Sequence, residues 1–177
     1  MLLAAPSSQA ATSWTTDATR SRLQFTATQA GGEFDGAFRR FRADIVFDPA
    51  DLVGSRLRVE IETASAATGD KDRDQTLAGS DFFAAERWPL ARFEADQIVA
   101  LGDERFEARG KLTIRDATRE VRVPFRFQPA AGGARADMTG GTTIRRLDFG
   151  VGQGEWRDTA LVGDPVQIRF VLLLHRP

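Results

Sequence analysis

Arg119-Glu120-Val121-Arg122-Val123-Pro124-Phe125-Arg126-Phe127-Gln128 sets Val121, Val123, Phe125 and Phe127 on one parity and Glu120, Arg122, Arg126 and Gln128 on the other. Successive side chains leave a strand on opposite faces, so a period of two marks a strand with one face in water. The pattern extends outward from there. Phe106, Ala108, Leu112 and Ile114 oppose Arg105, Glu107, Arg109, Lys111 and Arg115, and Leu57, Val59 and Ile61 oppose Arg56, Arg58, Glu60 and Glu62. Leu23, Phe25 and Ala27 oppose Arg22, Gln24 and Thr26 near the start, and Val166, Ile168, Phe170, Leu172 and Leu174 make a last long strand. Eight stretches read this way, the others lying near 38–47, 91–101 and 134–145. Gly102-Asp103, Asp116-Ala117 and Ala131-Gly132-Gly133 are turn signals between neighbours, and such short links imply antiparallel hairpins.

Phe38 and the series Phe41, Ala43, Ile45, Phe47 sit on opposite parities, which predicts a bulge or bend near Arg39-Arg40. One segment, 70–87, does not alternate. It reads as two short helical turns, near 72–77 and 81–85, with Asp70 and Ser80 or Asp81 as N-caps. The glycine-rich stretch 147–163 reads as a long irregular excursion.

Eight antiparallel strands can close into a barrel, either filled by its own side chains or wide enough for one slender ligand. The fold class is therefore all-β, an eight-stranded antiparallel β-barrel with a short helical segment at about 70–87. Leu23, Phe25, Phe93, Phe106, Leu112, Ile114, Val121, Val123, Phe125 and Phe127 are predicted to point inward, together with small residues such as Ala95, Ala108, Gly110, Ala136 and Gly140 that leave volume unless a neighbour reaches across. Phe38, Phe41 and Phe149 complete the expected apolar lining. Leu77, Phe82 and Phe83 are expected to form a partial lid, one of the paired phenylalanines dipping inward and the other packing on the rim. An apolar cavity of this kind stays dry and accepts hydrocarbon, at about 0.8 kcal/mol for each CH₂ buried.

A chain of 177 residues, 42% hydrophobic, is one domain with enough apolar surface for a core. Its net charge of −1, with arginines interleaved among carboxylates, argues against nucleic acid. With no cysteine, it has neither disulfide nor thiolate chemistry. Residues 1–11, with Leu2-Leu3-Ala4-Ala5 followed by small residues, read as a signal-peptide remnant or disordered tail, and 12–177 as the barrel domain. The implied location is an exported, soluble, periplasmic one. No stretch approaches the ~20 apolar residues of a membrane span.

Catalytic signatures are sparse. His175 is the only histidine and lies near the C-terminus; Gly150-Val151-Gly152-Gln153-Gly154 is not followed by a helical pattern. Asp72, Asp74, Asp81 and Glu86 cluster in 70–87, where caps and ion pairs with Lys71 and Arg73 account for them, as an ion pair with Arg145-Arg146 accounts for Asp148. No catalytic residue, metal site or cofactor is assigned.

Arg73-Asp74-Gln75-Thr76-Leu77, Ser80-Asp81-Phe82-Phe83 and Pro89-Leu90-Ala91-Arg92-Phe93 resemble the signature of the YceI-like, polyisoprenoid-binding proteins. Trp14-x-x-Asp17, Gly36-x-Phe38-x-x-Phe41, Phe47-Asp48-Pro49, Thr68-Gly69, Gly110-Lys111-Leu112-Thr113-Ile114 and the run Arg146 to Gly152 match in order, from Trp14 to His175. The resemblance implies an extended lipocalin-like barrel in the bacterial periplasm that holds a polyprenyl chain, an isoprenoid quinone or a fatty acid derivative. Thr28-Gln29-x-Gly31 and Gly152-Gln153-Gly154-Glu155-Trp156 resemble the branch found beside an inner-membrane b-type cytochrome, which points to quinone and to that partner. The family also includes homodimers. Where its members often carry histidine, this chain has Arg20 and Thr76, so no head-group or metal role of those histidines transfers. Three readings stand at this point: a carrier of an isoprenoid lipid with 70–87 near the barrel mouth, a packed interaction module for a membrane enzyme, and an enzyme acting on bound lipid through carboxylates.

Overall fold

The computed structural model describes residues 10–177, so most of the expected leader, residues 1–9, lies outside the described residues. The alternating stretches form β1 (Ser13–Thr16), β2 (Arg22–Gln29), β3 (Gly32–Phe38), β4 (Phe41–Val46), β5 (Arg56–Glu62), β6 (Ala66–Ala67), β7 (Leu90–Gly102), β8 (Arg105–Ile114), β9 (Ala117–Pro129), β10 (Arg135–Arg145) and β11 (Pro165–His175), with a helix α1 (Lys71–Ala78). All ladders are antiparallel, and β1 pairs with both β4 and β11, which closes the sheet. Three staves are interrupted. β1 and β2 share one edge of β11, β3 runs on into β4, and β5 into β6, so eleven segments make eight staves.

The interruptions are bends whose freed backbone groups find partners. Between β3 and β4, at the expected Arg39-Arg40 position, the Arg39 and Arg40 amides donate to the Ser65 carbonyl and hydroxyl, both at 3.1 Å. Between β1 and β2 the Asp17 carboxylate accepts from the Thr19 hydroxyl at 2.8 Å and from Arg20 Nε at 2.9 Å. These bonds hold its pKa down to about 2.

Asp70 caps α1 as expected, accepting from the Arg73 amide at 3.0 Å. The second helical turn is absent. Gly79 leaves the helix in an extended conformation and 80–87 folds as successive turns, with Ala84 at φ 46° and neither Ser80 nor Asp81 acting as a cap. The Asp81 carbonyl is instead taken by the Gly152 and Gln153 amides at 2.7 and 2.8 Å, which ties this segment to the excursion.

One end of the barrel is solid. Phe47, fully buried, reaches from beyond β4 into the axis and meets Phe127, Phe106 and Phe125 with ring centroids 4.7, 5.0 and 5.4 Å apart. Edge-on ring contacts of this kind add to the area they bury. The small residues Ala95, Ala108 and Ala136 make room for these rings.

Candidate functional site

Above this floor the inward faces of the staves enclose a cavity of about 440 Å³, within the range of small-molecule sites. Its wall is nearly all hydrocarbon: Leu23, Phe25, Phe93, Leu112, Ile114, Val121, Val123 and Phe125 face it from the staves, and Phe38 and Phe41 from either side of the bend. Leu77, Phe82 and Phe83 cover it. Both phenylalanines face the cavity, contrary to the expected split, because the turns at 80–87 do not impose the helical rotation of about 100° per residue that would splay consecutive side chains. Phe82 packs on Trp156 (5.5 Å) and Phe83 on Phe38 (5.8 Å).

Three expected lining residues stand elsewhere. Phe106 and Phe127 point inward but belong to the floor, because the strand period fixes a face and not a height along the axis. Phe149 is buried in the upper cluster and does not line the space; it sits in a 3-10 turn, Arg146–Phe149, outside any strand register.

Val59, Ile61, Val166, Ile168, Phe170 and Leu172 also line the cavity, and their alternation was already the signal for it. Val151, Trp156 and Val162 carry no such signal, since the excursion delivers them, while Phe34 lines the cavity from β3 on the parity of Phe38. The excursion is pinned by Arg146, which is 3% exposed and donates to the carbonyls of Gly163, Val151, Trp156 and Val162 at 2.9, 2.9, 2.6 and 2.6 Å. Burial lowers its pKa. Burial also works against ionisation of Asp164, but the Leu147 amide and the Arg145 guanidinium outweigh it and hold that carboxyl below its usual range. Arg145 thus pairs with Asp164 at 2.8 Å, where the sequence pointed to Asp148.

Polar atoms gather at the mouth. Gln29, Asp70, Asp72, Arg73 and Thr76 reach the cavity there, and Arg73 spans it from α1 to the β2–β3 hairpin. Its Nε donates to Gln29 Oε1 at 3.2 Å and its guanidinium lies 4.2 Å from the Phe34 ring centroid. The Arg73 amide lowers the Asp70 pKa, so the mouth carries charge of both signs. Asp74 turns away, accepting from the Thr68 amide and hydroxyl, both at 2.7 Å. Among the described residues no group of three or more potential ligands could hold a metal ion, and no helix is long and apolar enough to cross a membrane.

Residues 14–174 match the family model of the YceI-like domain. A UPF0312 protein of Azotobacter vinelandii is 32% identical over 120 residues, covering 66% of this chain and 62% of its own, and one of Vibrio cholerae is 29% identical over 120 residues, covering 66% and 64%. The matched stretch thus spans less than two thirds of these relatives. Among solved structures, Burkholderia cenocepacia BcnA superposes with a TM-score of 0.84 at 36% identity, covering 89% of this chain and 98% of its own. A polyisoprenoid-binding domain from Saccharophagus degradans shares the fold, with a TM-score of 0.73 at 15% identity over 94% and 99% of the two chains.

Proposed function

The chain belongs to the YceI-like family, and from that premise we propose that it is a binding protein, not an enzyme, that holds a long apolar isoprenoid lipid inside its barrel. The observation that carries this reading is a cavity of about 440 Å³ whose wall is hydrocarbon and whose polar atoms collect chiefly at one mouth. An amphipathic lipid has the same asymmetry, an apolar tail and one polar end. The polyisoprenoid-binding domain with the same fold is consistent with this class of ligand. The solid floor is what a packed interaction module would have throughout; the open upper half favours the carrier.

The apolar Leu2-Leu3-Ala4-Ala5 tract and the small residues after it support a periplasmic location. The glycine-rich run before Trp156, similar to that of the cytochrome-associated branch, makes an isoprenoid quinone the favoured ligand and an inner-membrane b-type cytochrome the favoured partner. The test is calorimetric titration of delipidated protein with prenyl alcohols of increasing length. Affinity should climb with each isoprene unit, by about 0.8 kcal/mol per CH₂ buried, until the cavity is full. Affinity independent of chain length would defeat the proposal.

A further inference from the structure

The ladder between β9 and β10 is shorter than either strand. It runs from Ala136 opposite Pro129 to Gly140 opposite Phe125 and stops there, while β9 extends to Ala117 and β10 stays paired with β11 as far as Arg145 opposite Pro165. Beyond the break, the Thr142 hydroxyl donates to the Arg122 carbonyl at 2.9 Å, a single side-chain bond across the wall.

Two local features set the break. Arg122 turns its backbone groups toward β10, as the Thr142 bond shows, whereas the Phe127 amide turns to the other side and donates to the Glu104 carbonyl. By the alternation along a strand, Pro124 also presents its backbone to β10, and proline has no N–H to give. On the opposite strand, a Cβ on Gly141 would meet the Ile168 carbonyl at 2.2 Å, so only glycine lets β10 press against β11 at this height.

Val121 and Val123 on β9, and Thr142 and Ile144 on β10, line the cavity just above the break. We propose that this slit in the barrel wall is the passage by which a slender apolar chain enters and leaves the cavity. The inference rests on the proposed binding function and goes beyond it in naming the route. Laddered strands lie about 4.8 Å apart and admit nothing, whereas above the break the two lips are held by one side-chain hydrogen bond and by apolar packing of Ile144 with Val121 and Ala117, contacts that an apolar chain passing between them can replace. The other exits are poor ones. The floor is filled by Phe47 and its neighbours, and at the mouth a bare chain would have to strip water from Asp70, Asp72 and Arg73.

The chain lacks cysteine, so Arg122→Cys with Thr143→Cys supplies two unique outward-facing thiols, one on each lip. A short bismaleimide with a reducible link then bridges the slit. Stopped-flow uptake and release of cis-parinaric acid, a fluorescent polyene chain, should slow by about tenfold or more when the bridge is in place and recover when it is reduced. Unchanged rates in the bridged protein overturn the proposal. A second measurement needs no ligand. The Glu120 and Arg122 amides should exchange with solvent about a hundredfold faster than those of Arg126 and Gln128, which face β10 within the ladder; equal protection would mean a closed wall and would overturn it as well. If the unlinked protein does not bind the probe at all, the binding function falls separately, and amide exchange decides the slit.

Discussion

Phe47 and Phe127 meet edge to face at the barrel axis, centroids 4.7 Å apart and planes at 66°. This contact divides the interior into a packed lower half and an open upper half. Phe47 is fully buried, so Phe47→Ala removes a whole ring from a dense cluster. The expected loss is about 3–5 kcal/mol in urea unfolding. The cavity should also deepen, so the folded variant should accept a longer chain than the native protein. A loss below about 1 kcal/mol would mean that the floor is not packed as described.

Phe82 and Phe83 cover the cavity from turns rather than from a regular element. Phe82→Asp or Phe83→Asp places a charge in an apolar wall, which costs several kcal/mol unless water follows it in. Retention of a bound lipid through repeated dilution should fall more than the unfolding midpoint does. Full retention in both variants, or simple unfolding of both, would assign the pair to ordinary core.

Arg146 joins four carbonyls of the excursion to β10. Arg146→Met keeps most of the volume but leaves those carbonyls without their donor, at a cost of about 3 kcal/mol or more. Amide exchange should rise first across 147–163. A uniform rise over the whole barrel would instead make Arg146 part of the global core.

Asp17 gives the pH dependence a definite sign. Its carboxyl is lowered from 3.8 to about 2, chiefly by the Thr19 hydroxyl and the Arg20 guanidinium. A depressed folded-state pKa stabilises the fold fully above the unfolded value, and that contribution is lost as pH falls through the folded one. Carbon-13 titration of the Asp17 carboxyl should therefore show a midpoint near 2, and Asp17→Asn should flatten the stability profile between pH 2 and 4. A midpoint near 3.8 would show that the turn does not hold in solution.

The strand faces were legible in the sequence, because alternation fixes which parity points inward. Val121, Val123 and Phe125 stand on the cavity side as their period required, and even the bend at Arg39-Arg40 showed as a change of parity. Height along the barrel axis was not legible: Phe106 and Phe127 obey the same period as Phe93 yet fall in the floor, since only the three-dimensional stagger of the staves decides the level. Nor was the contribution of the excursion, where Trp156 and Val162 arrive through turns and the bonds of Arg146. The end of the β9–β10 ladder did leave a trace in Pro124 and Gly141, residues that interrupt hydrogen bonding or side-chain bulk within otherwise regular strands.

The proposed role of the upper half of this barrel is to hold one lipid chain. Native mass spectrometry of the protein purified gently from its own host, followed by organic extraction and identification of what is released, tests it most directly. The expected result is one long apolar molecule per polypeptide, with isoprene repeats in its tail. Spectra showing only the bare polypeptide across several mild preparations would contradict it.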